Sequence, residues 1–436
     1  MLCSAHDVRE ASRIITLKRP IMLMEDPTLA HDTRAPGDET TTLRQWLAVA
    51  AVTIGAFAFV TTEFLPVGLL PHVAKELNIL PGVAGLMVTT PGIVAAISAP
   101  ALMLGAGRMD RRHVFLWLTA ILLVSNLLSA FAPNLAVMLT GRALLGAALG
   151  GFWTLATSAS GRLVAPRDSA RAMAAILTGV TCATVIGVPL GTLIASVASW
   201  RVSFLATGGL VAVALIAQWL LVPSLPSAAA LRFADLTALM RRAHPRKSLL
   251  MVALIFGAHF SSYTYVTPFL LNDAHLDMST VTWLLLGFGI IGFFSNFAVS
   301  SVVARRLKTS LVAMTSLLMF SLLLLPVLRH LEFGVGAVVL AWGIAFGALP
   351  LCFSVWIQRA TPEHPEAGSA LFVGIIQVAI AAGSFVGGAV VDHVGIPTDF
   401  MVGAALAMLG LATLAGIDGE ASRNDTCSVP CEAAPD

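Results

Sequence analysis

Charge is scarce in this sequence. Of its 436 residues, 11% are Asp, Glu, Lys or Arg and 57% are hydrophobic. Soluble domains carry about 25% charged residues, so a water-facing globular surface is excluded. With a formal net charge of only +2, nucleic acid is not expected as a partner. Cysteine is sparse as well. Cys182 and Cys352 fall in apolar runs, where cysteine acts as a small hydrophobe, and Cys3, Cys427 and Cys431 fall in polar tails. Cys427 and Cys431 have a weak metal-pair spacing, but nothing nearby supplies further ligands, so neither metal nor cofactor is expected. A secretory signal is missing too, because Lys18 and Arg19 interrupt the apolar stretch of the N-terminus. Met22 and Met24 stay open as alternative starts.

What the chain has instead is long apolar runs. Twelve can be traced, at about 46–70, 82–105, 113–132, 135–160, 171–196, 202–222, 248–271, 279–303, 309–328, 334–357, 368–391 and 397–417. Roughly 20 apolar residues span a bilayer, and hydrocarbon offers backbone groups no outside partner, so each run reads as a membrane helix. The expected fold is all-α and integral to the membrane, with twelve helices. If both tails are cytoplasmic, the inner loops hold fifteen Lys and Arg residues and the outer loops three, Lys75, Arg201 and Arg329. That asymmetry sets the orientation.

A basic, proline-broken segment at 223–247 follows six spans and precedes six more. It divides the chain into a tail (1–44), a first bundle (45–222), a linker (223–247), a second bundle (248–418) and a closing tail (419–436). The halves echo each other. Glu63-Phe-Leu-Pro66 aligns with Tyr265-Val-Thr-Pro268, Gly146 and Phe152 with Gly347 and Phe353, and Gly187 and Gly191 match the spacing of Gly383 and Gly387. A duplicated, pseudo-symmetric six-helix unit leaves such echoes.

Two charges stand deep inside spans. Glu63 is the one acid placed well within a run, roughly 10 Å from the outer end of span one, and Arg142 lies at a similar depth in span four. A lone charge in the bilayer interior costs at least ~2.5–3.5 kcal/mol, so the two are expected to face each other or a wet cavity. Either they form a static ion pair, or Glu63 carries a proton beside Arg142, a cation that stays charged. His259, Tyr263 and Tyr265 in span seven read as cavity lining, against the alternatives of a packing histidine and interfacial tyrosines. Trp153 could stack on a ring-bearing solute or simply fill space. Gln377 and Asn296 are further cavity candidates, with helix–helix hydrogen bonding as their alternative. Gly187-Val-Pro189-Leu-Gly191 allows close backbone approach at a moving interface between spans five and eight. Asp110, Arg111 and Arg112 form a charged turn, either solvated or latching helix ends.

These residues resemble the major facilitator superfamily, in its twelve-span drug:proton antiporter branch, over about 44–418. The carriers are Thr62–Pro71 in span one, Asp110-Arg-Arg112, Gly141–Gly146, Gly187–Gly191 and Trp200-Arg201. Gly150-Gly-Phe-Trp153 and Trp356-Ile-Gln-Arg359 are similar to the purine ribonucleoside and sugar efflux groups of that branch. The 2–3 loop departs from the family pattern, with Ala106 and His113 where it has glycine. The 8–9 loop lacks an acid, and Val188 separates Gly187 from Pro189. The resemblance implies two bundles, alternating access, a cavity lined by spans one, four, seven and ten, and proton uptake coupled to solute export. It matches Glu63 and Arg142 to the family's span-one acid and span-four arginine. The expectation is a monomeric, proton-driven exporter in the bacterial inner membrane that takes purine ribonucleosides. Sugars, drugs, uptake symport, a passive channel or a membrane-embedded enzyme are the alternatives.

Overall fold

A computed structural model of the chain describes residues 41–105, 109–225, 239–362 and 365–427. Residues 1–40, most of the expected linker and the chain from 428 onward lie outside the described residues, and with them Ala106, Cys3 and Cys431. Among the described residues all regular structure is helical.

The helices that cross a bilayer by length and composition are α1 (Leu43–Leu77), α2 (Pro81–Ala99), α3 (Arg111–Ala130), α4 (Leu135–Trp153), α5 (Arg171–Val197), α6 (Trp200–Leu221), α8 (Met278–Val303), α9 (Arg305–Val327), α10 (Glu332–Ala360), α11 (Ala367–His393) and α12 (Ile396–Gly416). The twelfth, α7, is the pair Ala243–Thr264 and Val266–Asp273, bent by 45°. Helix α1 outruns its apolar stretch because both ends are capped. Thr42 and Gln45 form a capping box at its start, and Asn78 closes it in the left-handed conformation. Helices α8 and α9 run on as one, broken at Arg306 (φ −133°, ψ 46°). Below, the tail end is where α1 begins, and the far end is opposite.

The sequence echoes become equivalent contacts. A β-carbon on Gly146 would meet the Pro91 carbonyl of α2, and one on Gly347 the Gly292 carbonyl of α8, so α4 lies on α2 as α10 lies on α8. Gly187 and Gly191 close on Thr61 and Leu65 of α1, while Gly383 and Gly387 close on Gly257 and Ser261 of α7. Helix α5 thus lies on α1 as α11 lies on α7. The first six helices and the last six are two pseudo-symmetric bundles. They meet where α2 contacts α11 and α5 contacts α8. At the second of these contacts Gly289 abuts Val185, whose carbonyl Pro189 leaves without its usual helical donor.

Gly347 gives a clean test. A methyl there would lie 2.2 Å from the Gly292 oxygen, whereas one on Gly374 would meet nothing within 4 Å. Gly347→Ala is expected to lower the thermal unfolding temperature, at a cost of about 1–3 kcal/mol. Gly374→Ala is expected to leave it unchanged or raise it through helix propensity. Paired unfolding curves in detergent check both.

Candidate functional site

Glu63 sits in the middle of α1 and is 5% exposed. Its Oε1 accepts a hydrogen bond from Gln377 Nε2 of α11 at 3.1 Å. The carboxylate of the first bundle is therefore held by an amide of the second. One residue on, Phe64 stacks against Phe260 of α7, with ring centroids 5.6 Å apart. Both contacts cross between the halves at the same level.

Arg142 is fully buried and makes no ion pair with the carboxylate, so of the two expected alternatives the static pair is not what the structure holds. Its Nη1 donates to the Thr62 carbonyl (2.7 Å), its Nη2 to the Glu63 carbonyl (2.8 Å) and its Nε to the Met87 carbonyl of α2 (2.7 Å). The reason lies four residues further on. Pro66 and Pro91 have no N–H, so the Thr62 and Met87 carbonyls lose their intrahelical donors. A guanidinium offers five donors in a fixed fork and fills both vacancies. The arginine thus clamps α1, α2 and α4 together beneath the acid.

His259 lies in an aromatic box. Its Nδ1 accepts from Trp342 Nε1 of α10 at 3.0 Å. Its ring stacks on Phe346 and Tyr263, and Phe288 of α8 stacks on Tyr263. The Nε2 atom has no partner. Trp153 belongs to a separate cluster, edge-on to Phe152, which stacks on Phe59 of α1. Asn296 donates to the Gly347 carbonyl at 3.2 Å and so ties α8 to α10.

Tyr265 is not a cavity lining. It is fully buried, and its hydroxyl donates to the Ser384 carbonyl of α11 (2.9 Å) and contacts the Gly82 carbonyl at the start of α2 (3.4 Å). Nearby, Asp392 Oδ1 accepts from the Gly82 amide at 2.7 Å. These bonds tie the two halves at the far end. Gly187 and Gly191 face α1, and the α5–α8 contact is made by Val185 and Gly289 instead, because Pro189 lies one helical turn beyond Val185.

A family profile described as Major Facilitator Superfamily matches residues 52–384. The chain belongs to the major facilitator superfamily. Within that superfamily it is 33% identical over 364 residues to the purine ribonucleoside efflux pump NepI of Salmonella paratyphi C, covering 84% of this chain and 92% of that protein. It is 34% identical over 368 residues to a Pseudomonas aeruginosa protein named transcription regulatory protein OpdE, with the same coverage. Among solved structures, the nucleoside transporter NupG aligns with a TM-score of 0.69 at 14% identity, over 85% of this chain and 99% of that one. This superfamily member is a multi-pass membrane transporter and not an enzyme.

The superfamily's 2–3 turn is engaged here despite its departures. Asp110 caps α3. Its Oδ1 accepts from the amides of Arg112 (2.9 Å) and Leu225 (2.8 Å), and its Oδ2 accepts from the Ser224 hydroxyl. Arg112 donates to the Trp219 carbonyl (2.6 Å), and the Arg111 amide to the Leu225 carbonyl (2.9 Å). The turn therefore fastens the end of α6. Burial acts to raise the Asp110 carboxyl, but the Ser224 hydroxyl and the two amides outweigh it and hold the group below the usual carboxylate range. A carboxyl lowered by folding stabilises above its free value, about 3.9, and loses that contribution as pH falls through the folded value. Asp110→Ala is expected to cost about 1 kcal/mol at neutral pH. Its unfolding curve should converge on that of the unmodified protein in acid.

One acid escapes a sequence reading. Asp399 lies at the edge of an apolar run, where water is expected, yet it is 0% exposed. Asp399 is buried because α7 and α11 press on the start of α12, Phe269 against Phe400 and Gly387 against Asp399 itself. Neither carboxylate oxygen has a hydrogen-bond partner, and the hydroxyls of Ser262 and Thr267 on α7 are likewise unpaired.

Proposed function

We propose that this transporter exports a small ring-bearing solute in exchange for protons, with purine ribonucleosides as the favoured class. The observation that carries the reading is the Glu63–Gln377 bond, which places a titratable group of one half on an amide of the other. Protonation turns that charge-assisted bond into a neutral one roughly half as strong, so proton occupancy is felt directly by the contact between halves. Arg142 keeps a fixed positive charge beside it and does not exchange its own proton. Phe64 and Phe346, both only partly buried and both packed on Phe260 beside His259, offer stacking faces for a flat base. The Salmonella relative, a pump named for purine ribonucleosides, supports the same class.

Loop charge favours cytoplasmic tails. With that orientation, the ties at Gly82, Tyr265 and Asp392 lie outside, and the described state is closed to the exterior. The bundles are assigned to 45–222 and 248–418, joined by 223–247, in a monomer of the bacterial inner membrane. One proton moving down ~100 mV provides about 2.3 kcal/mol, enough for roughly a 50-fold gradient of a neutral solute. Labelled adenosine, inosine, a pentose and a cationic dye, each offered to energised inverted vesicles with and without a protonophore, test the reading. Protonophore-sensitive nucleoside accumulation is the expected result. Accumulation of the pentose or dye alone reassigns the substrate class, and accumulation that ignores the protonophore rejects the coupling.

A further inference from the structure

The structure assigns a second proton-binding group, Asp399, whose proton holds the far end of the two halves closed. The observation is geometric and independent of Glu63. A fully buried carboxylate with neither oxygen hydrogen-bonded, and with no ion pair among the described residues, is an uncompensated charge, whereas a neutral carboxyl in the same place is not. A carbonyl that a neutral carboxyl could reach after a small shift borders the same space, since a β-carbon built on Gly387 would sit 2.8 Å both from Asp399 Oδ1 and from the Ser261 carbonyl oxygen of α7. The titratable groups on the far ends of the elements that enclose α12 do not neutralise it. Tyr265 and Asp273 on α7 and Asp392 on α11 bring no positive charge, Asp392 is committed to the Gly82 amide, and His393 and Arg329 make no ion pair with Asp399.

Gly387 and Gly388 connect this carboxyl to the seal. The first presses on Asp399. The second would place a β-carbon 2.5 Å from the Tyr265 hydroxyl and 2.9 Å from the Gly82 carbonyl of the other half. Ionising Asp399 demands water around it. Water has no room until α11 moves away from α7 and α12, and α11 cannot move without disturbing its neighbour Gly82. The unpaired hydroxyls of Ser262 and Thr267 would then gain partners as well. Loss of the proton therefore opens the far end, and binding of a proton closes it.

Two measurements test this on the full-length protein. Infrared spectra of protein grown with 13C-aspartate should show a neutral aspartic acid carbonyl band that persists well above the pH at which a free aspartate ionises and fades as the far end opens. The band should vanish in Asp399→Asn and survive in Glu63→Gln. No such aspartate band in the unmodified protein overturns the proposal without recourse to any variant. The second measurement uses spin labels at Leu80→Cys and Val394→Cys, exposed positions (57% and 67%) beside the seal on opposite halves, with the native cysteines replaced. Their separation should lengthen as pH rises in the otherwise unmodified protein and stay short at all pH in Asp399→Asn. A lengthening in Asp399→Asn equal to that of the parent overturns the proposal. Should Glu63→Gln alone abolish the lengthening, the outer closure belongs to Glu63 and not to Asp399.

Discussion

Glu63→Gln is expected to collapse solute accumulation in energised inverted vesicles from as much as roughly 50-fold, the gradient one proton at ~100 mV sustains, to about the level reached with a protonophore. The glutamine side chain fills the same space and keeps a carbonyl for the Gln377 amide to bond, so the bundles should still meet at this level. Downhill exchange of labelled for unlabelled solute should therefore continue. That combination separates coupling from folding. Accumulation at the unmodified level would remove Glu63 from the proton path, and loss of exchange as well as accumulation would make it a binding residue.

Removing Arg142 should instead destroy stability. In Arg142→Ala the Thr62 and Met87 carbonyls are left buried without donors, at about 1–3 kcal/mol each. Arg142→Lys keeps the charge but lacks the planar fork that reaches three carbonyls on two helices, so it should recover little. The proline argument makes a sharper demand. Pro66→Ala supplies the amide that Thr62 lacks, so Arg142→Lys combined with Pro66→Ala should unfold at a higher temperature than Arg142→Lys alone. Thermal unfolding in detergent of the unmodified protein, Pro66→Ala, Arg142→Lys and the double variant completes the cycle, with Arg142→Ala measured beside them. A normal unfolding temperature for Arg142→Ala would reject the clamp, and a double variant no better than the single would reject its cause.

The sequence announces most of the fold, since apolar runs of this length have few other ways to satisfy their backbone. It also announces Glu63 and Arg142, because a charge inside such a run is expensive. Rotation about each helix axis is less legible. Tyr265 and His259 are six residues apart on one helix, yet one reaches the seam between bundles and the other lies inside its own bundle, stacked on Phe346. Both prolines were visible, but their bearing on Arg142 depends on three helices meeting at one point. Asp399 was hidden for a simpler reason. Run length marks where a helix enters hydrocarbon, not whether neighbouring protein covers that entry. The glycine echoes were the better guide, because close approach needs only the absence of a side chain.

The guanidinium fork has a mechanical consequence. Proline breaks normally leave a helix free to flex where its ladder is cut, but one side chain here stitches both cuts to a third rod. That corner of the protein should behave as a rigid jaw. The opposing jaw, held beside the clamp by a single amide and a pair of stacked rings and at the far end by Tyr265 and Asp392 on Gly82, is the one that can let go, so the swing that exchanges one opening for the other should be borne by α7 and α11.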